Sequence, residues 1–153
     1  MSPATLPTRR ADAGAGSDPT PGGDATRHQQ RERALSLLYE AELKGETPGR
    51  VLESLAVRPD AYVCTLLAGA EATRAEADTR IGAASVGWPI DRMAVIDRLV
   101  LRLAVAELLD PEGPPMAVVI DEAVELVKTY STDDSGSFVN GILSTIAAEV
   151  RPA

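Results

Sequence analysis

The sequence predicts an all-α protein: one compact domain of about six or seven helices, preceded by an N-terminal tail. Apolar residues recur at three- and four-residue intervals through most of the chain after residue 26, as they do on helices. No Asn-Gly or Asp-Gly turn separates two alternating apolar runs, so no β-hairpin is predicted. A composition of 44% hydrophobic and 25% charged residues is ordinary for one globular domain of this length.

The first 25 residues are rich in Pro, Gly, Ala, Ser, Thr and Asp, with almost nothing to bury. We predict that residues 1–25 form a disordered tail that is dispensable for folding, and that residues 26–150 form the helical domain. Thr26 is a plausible N-cap for the first helix, which Gly45 closes. Apolar positions begin only at Ala34, so the basic first turns are expected to project from the body.

Two further helix start signals follow along the chain. Thr47-Pro48 places a capping residue before a proline at the first helical position, which predicts a short helix through Ala56. Pro59-Asp60 starts a longer helix, in which Cys64 is expected to be a small buried apolar residue.

The alanine-rich segment to Ala84 is predicted to continue as helix, with a break. Val86-Gly87-Trp88-Pro89 interrupts the pattern, and we expect Trp88, the only tryptophan, to be a packing anchor. From Val95 to Leu109, apolar residues fall on nearly every face. A helix of that kind is surrounded by others, so this is the predicted central helix.

The segment from Met116 to Ile146 is predicted to form two helices hinged on a short polar loop. The second is expected to begin near Ser137, and Gly136 and Gly141 leave room for another backbone or a ligand. Tyr130 and Phe138 bracket the loop in a chain that is only 3% aromatic. Both residues fit the core of a helical corner, and both also fit an aromatic platform on which bases of single-stranded nucleic acid stack.

Charge and composition narrow the classes of function. A net charge of −8 argues against a protein that coats nucleic acid by charge alone. With a single cysteine and no apolar run of about 18 residues, no cysteine metal cluster or membrane span is predicted, and a reducing cytoplasm fits best. No phosphate-cradling glycine loop occurs, and the only histidine, His28, lies far in sequence from Cys64. We therefore expect neither a cofactor nor enzymatic activity.

Four blocks of sequence are specific in their order and spacing. They are RERALSLLY from Arg31, WPIDRMAVIDRLVLRLAVAEL from Trp88, IDEAVELVK from Ile120 and DDSGSFVNGIL from Asp133. Through these blocks the chain resembles the NusB family of bacterial transcription antitermination factors, over about residues 27–146. The resemblance implies an all-helical fold. It also implies pairing with NusE, a small-subunit ribosomal protein, binding to the boxA element of nascent ribosomal RNA, and joining of the polymerase elongation complex with other Nus factors.

The resemblance also implies which residues meet RNA. They are Arg27, His28, Arg31, Tyr39, Tyr130, Asp134, Ser137 and Phe138. His28, Gln29 and Gln30 interrupt what is often a denser arginine run in the family, and Ser137 stands where the family is often basic. Both departures predict a weaker intrinsic affinity for RNA.

An acidic strip is the predicted docking face for NusE. It consists of Glu107, Asp110, Glu112, Asp121 and Glu122. Acidic residues of this kind suit a basic ribosomal protein, and they are equally typical of a solvated helix face.

Two further interpretations remain open from the sequence. The protein could be a homodimer whose RNA face is masked, as some relatives are thought to be. It could also be an RNA-binding domain related to those fused to RNA cytosine methyltransferases. The sequence ends at Ala153 without room for a cofactor-binding α/β domain, so no catalytic role is expected from the second.

Overall fold

The computed structural model describes residues 6–7 and 26–152, and in them the chain forms seven α-helices and no strand. The helices are α1 (Arg27–Lys44), α2 (Pro48–Ser54), α3 (Ala61–Ala72), α4 (Arg74–Ala84), α5 (Val95–Leu109), α6 (Met116–Tyr130) and α7 (Ser135–Val150). A short 3₁₀ helix, Ile90–Arg92, lies between α4 and α5. The all-α prediction is confirmed for this part of the chain. None of its helices is both long and apolar enough to cross a bilayer.

Helix α5 is the centre of the domain, as its sequence predicts. All of its residues except Val95, Arg98 and Leu109 are buried, and it packs against α1, α3, α4, α6 and α7. Because apolar side chains occupy every face of α5, it is stable only when other helices cover it on all sides.

The carboxyl end of α5 is held by a side chain from the end of α7. The guanidinium of Arg151 donates to the carbonyl oxygens of Leu108 at 3.0 Å, Glu107 at 2.9 Å and Asp110 at 3.2 Å. The last carbonyls of a helix have no intrahelical partner and carry partial negative charge, so a cation there stabilises the helix end. Gly113 lies close under this guanidinium, and a Cβ at that position would come within 2.5 Å of the Glu107 carbonyl oxygen.

Helix α1 begins and ends where its sequence predicts. The Thr26 side chain accepts from the backbone N–H of Gln29, the Gln29 side chain accepts from the backbone N–H of Thr26, and Gly45 closes the helix with φ 65°. Its start does not project into solvent, however, because Gln30 and Arg31 are buried. The first turns have few apolar residues, but they pack on the body through polar and charged contacts instead.

The corner between α6 and α7 is tighter than predicted. Helix α7 begins at Ser135 rather than near Ser137. The buried Ser135 hydroxyl donates to Asp97 of α5 at 2.9 Å, which fixes the first turn of α7 against the central helix. Gly136 is buried where α6 crosses α7, whereas Gly141 faces open space and has no neighbouring atom within 4 Å of a built Cβ.

Three further expectations need correction or qualification. Trp88 is 53% exposed and is not a packing anchor; Gly87 turns the chain with φ 79°, and Met93 provides the buried side chain of this segment. Cys64 is half-buried, and its thiol donates to the Pro59 carbonyl oxygen. Leu6 packs partly buried against the core, Pro7 is exposed, and the rest of the predicted tail lies outside the described residues.

Candidate functional site

The basic start of α1 is held by an ion pair inside the protein. Arg31 Nε donates to Glu107 Oε1 of α5 at 3.1 Å, and Arg31 Nη2 donates to the Tyr62 hydroxyl of α3 at 3.2 Å. Arg31 and Glu107 are both buried. Buried charges persist in proteins only when they are paired in this way. Arg31 therefore joins α1 to α3 and α5 and is not open to a direct RNA contact in this structure.

Tyr62 is the residue that organises these contacts, and sequence analysis did not single it out. Its hydroxyl donates to Glu107 Oε1 at 2.9 Å. The guanidinium of Arg27 lies 3.7 Å from the centre of its ring, in cation–π contact. Burial of the phenol, with the negative charge of Glu107 beside it, raises the pKa of Tyr62 above 10.0. The only available signal was that Tyr62 is the one aromatic residue of α3.

An open groove of about 680 Å³ runs between α3 and the α5–α6 connection. Its lining includes Arg27 and Tyr62, together with Asp110 and Glu112. Most of the α3 residues that line it are small, among them Ala68, Gly69 and Ala72. Arg27 therefore shares an open groove with acidic residues of its own chain.

The other α1 residues that are predicted to bind RNA are His28 and Tyr39, and His28 contacts α6. His28 Nδ1 lies 2.9 Å from Glu122 Oε2, and His28 Nε2 lies 3.5 Å from Glu32 Oε1. The Tyr130 hydroxyl at the end of α6 donates to the Glu32 carboxylate. Tyr39 follows His28 by eleven residues, about three helical turns, so it lies on the same side of α1. These contacts form a seam between α1 and α6.

The α6–α7 corner continues from this seam. Phe138 is half-buried, with one part packed against the core, while Ser137 and Asp134 are exposed. We call His28, Tyr39, Tyr130, Asp134, Ser137 and Phe138, the predicted RNA-binding residues at this corner and on the His28 side of α1, the corner face. It contains three half-buried aromatic side chains with polar neighbours, and such a combination offers both ring faces and hydrogen-bonding groups to a ligand.

The predicted acidic strip is not continuous. Glu107 is buried against Arg31 and Tyr62, so its assignment to an exposed docking face is wrong. Glu122 is half-buried and bound to His28. Asp110 and Asp121 are exposed, as a docking residue must be. The described part of the chain contains no group of three or more histidine, cysteine or acidic residues placed to hold a metal ion.

Comparison with known proteins gives one consistent family. The family model described as NusB family matches residues 28–148. A curated relative, the transcription antitermination protein NusB of Saccharopolyspora erythraea, is 46% identical over 127 residues, covering 79% of this chain and 86% of the relative.

Solved structures agree with the sequence match. NusB of T. maritima superposes with a TM-score of 0.74 at 34% identity, covering 83% of this chain and 94% of that chain. A crystal structure of the antitermination factors NusB and NusE in complex with double-stranded RNA contains a chain that superposes with a TM-score of 0.67 at 32% identity. That match covers 82% of this chain and 99% of the other.

Proposed function

The chain belongs to the NusB family, and on that basis we propose that it is a transcription antitermination factor that binds boxA RNA together with NusE. The observation that carries this proposal is the match over nearly the whole length of a chain crystallised with RNA, in a complex of NusB and NusE. The protein acts by binding rather than by catalysis, in the cytoplasm, where nascent RNA and ribosomal proteins occur together. It serves the elongating polymerase with other Nus factors.

We assign RNA contact to the corner face. Its half-buried aromatics, Tyr39, Tyr130 and Phe138, are fixed by the core on one side. A ring held in this way loses little conformational freedom when a base stacks on it, and each stacked base contributes about 1–3 kcal/mol. Ser137 and Asp134 supply hydrogen-bonding groups beside Phe138.

NusE supplies much of the phosphate contact. The chain has a net charge of −8, and Arg31 is bound to Glu107 in the interior. Arg27 and Arg33 at the start of α1 are exposed. Two phosphate contacts give a log–log salt slope of only about −1.4 for single-stranded RNA. A basic partner docked at Asp110 and Asp121 cancels the repulsion between this acidic chain and RNA and adds its own cations.

The proposal is tested by titrating fluorescently labelled boxA RNA with this chain, with NusE and with their mixture. The mixture is expected to bind at least about tenfold more tightly than the chain alone, a difference of about 1.4 kcal/mol, with a steeper salt slope. A scrambled RNA of equal length is the control. Equal binding of both RNAs contradicts the boxA assignment, and a stable homodimer by light scattering that ignores RNA and NusE contradicts the function.

A further inference from the structure

Lys128 is a cation of the α6–α7 corner that neither the sequence analysis nor the family resemblance assigns to RNA. It lies in the last turn of α6 and is exposed. The chain has only one other lysine, Lys44, whose ammonium lies 3.1 Å from Glu40 Oε1. Lys128 makes no hydrogen bond or ion pair with any other residue that the structure describes. Its charge is therefore not neutralised by a neighbour there.

The side chain of Lys128 lies close to α7 at a position where α7 has no side chain. A Cβ built on Gly136 would lie 3.0 Å from Lys128 Cε and 3.4 Å from Lys128 Cγ. The aliphatic stem of Lys128 therefore lies against the first turn of α7, where a side chain at position 136 would crowd it. Lysine stems commonly cover apolar or backbone surface in this way while the ammonium stays in water.

This position puts the end of Lys128 at the first turn of α7. Gly136 directly precedes Ser137 and is two residues before Phe138, so the end of Lys128 lies at the same helical turn as both. Ser137 is short and uncharged and cannot itself neutralise a phosphate. An ammonium on a four-carbon stem binds phosphate as a point charge.

We propose that Lys128 contacts the RNA backbone next to the base held by Phe138, and that Gly136 makes this contact possible. The inference rests on the proposed RNA-binding function. Lys128 thus supplies, from α6, the cation that α7 lacks at Ser137. The two residues act as a pair: one carries the charge, and the other leaves room for its stem.

Lysine-selective acylation followed by mass spectrometry tests the contact directly. We expect boxA RNA to protect Lys128 of the chain in its complex with NusE, while Lys44, remote in sequence and bound to Glu40, reacts equally with and without RNA. Equal reactivity of Lys128 with and without bound RNA overturns the inference. Absence of RNA binding in a parallel shift assay contradicts the proposed function instead, so the two failures are distinguishable.

Substitutions test whether the contact involves a phosphate. Lys128→Gln is expected to weaken RNA binding about threefold to tenfold and to make the salt slope shallower by about 0.7. Lys128→Arg keeps the slope because the charge remains. Lys44→Gln, the same change at the other lysine, leaves affinity and slope unchanged, and the melting temperature of Lys128→Gln stays at the wild-type value.

Gly136→Ala tests the second half of the proposal. The new methyl group crowds the flexible end of Lys128, so we expect it to reduce RNA affinity and salt slope toward those of Lys128→Gln. The double variant is expected to be no weaker than Lys128→Gln alone, because both changes remove one contact. If the double variant loses as much RNA-binding free energy as the two single variants together, Gly136 does not act through Lys128. An unchanged salt slope in Lys128→Gln overturns the phosphate contact.

Discussion

Arg31 and Glu107 form an ion pair across 76 residues of sequence, with Arg31 Nε 3.1 Å from Glu107 Oε1. The two side chains are only 4% and 7% exposed. The pair joins the start of α1 to the end of α5. It therefore takes from the surface one residue predicted to bind RNA and one predicted to bind a partner.

Glu107→Ala is expected to destabilise the fold by about 3–5 kcal/mol, because the buried Arg31 charge loses its close carboxylate and keeps only Glu122 at 3.9 Å. Urea denaturation followed by circular dichroism measures the change. The surface pair of Arg80 with Glu76 provides the control, since Glu76 is half exposed. Glu76→Ala is expected to cost less than about 1 kcal/mol, and a similar cost for Glu107→Ala would show that the interior pair is not needed.

Phe138→Ala distinguishes a role of Phe138 in the core from a role in stacking on an RNA base. A fully buried phenylalanine costs about 3–5 kcal/mol of stability when truncated. Phe138 is half-buried, so we expect a smaller loss, together with RNA binding weakened by about 1–3 kcal/mol. Both quantities are measured on one protein. Normal RNA binding by a strongly destabilised variant would leave Phe138 as a core residue only.

Reversing one charge, by Asp110→Lys or by Asp121→Lys, is expected to weaken NusE docking. The RNA affinity of the isolated chain is expected to stay equal or to rise slightly. Both residues are exposed, so the fold should be preserved. Calorimetric titration with NusE measures docking. Asp91→Lys, an equally exposed acid in the 3₁₀ helix, controls for net charge, and an equal loss there would mean that only overall charge matters.

Replacing glycine with alanine is expected to have opposite effects on stability at Gly113 and at Gly141. At Gly113 the new methyl group would lie 2.5 Å from the Glu107 carbonyl oxygen and 3.1 Å from Arg151 Nη2. Gly113→Ala is therefore expected to destabilise by about 1–3 kcal/mol. Gly141→Ala points into open space within α7 and is expected to stabilise by up to about 1 kcal/mol. Thermal unfolding of both variants checks the contrast.

The raised pKa of Tyr62 predicts a loss of stability in alkaline solution. The folded protein holds the phenol proton more tightly than the unfolded chain does. The stability that this provides is complete below the unfolded pKa of 10.0 and declines as pH rises toward the higher folded pKa. Tyr62→Phe is expected to reduce the decline in unfolding free energy between about pH 9.5 and 11. An identical decline in both proteins contradicts the assignment to Tyr62.

Local features of the fold were predictable, and distant pairings were not. The Thr26 cap, the Gly45 terminator and the bounds of α5 follow from signals within a few residues of each other. The contact of Arg31 with Glu107 has no local signal. One clue was present: a charged residue on a helix that is apolar all round must be buried and paired.

The exposed position of Trp88 has a related explanation. A large aromatic residue is usually an anchor, but a left-handed glycine immediately before it redirects the chain. Which way such a turn points depends on the helices that it connects. The residues of the corner face come from the resemblance, and their contact with RNA stays a prediction. The turning of Arg27 toward Tyr62 required the three-dimensional arrangement.

The clamp formed by Arg151 affects how the protein emerges from the ribosome. Leu108 is synthesised 43 residues before the arginine that its carbonyl group accepts from. At about 5–20 residues per second, α5 therefore waits roughly 2–9 s for this contact. During that interval the end of α5 lacks this cap, and the sides of α5 that α6 and α7 later cover stay exposed. Closure of this clamp is consequently a late step that follows the synthesis of α7.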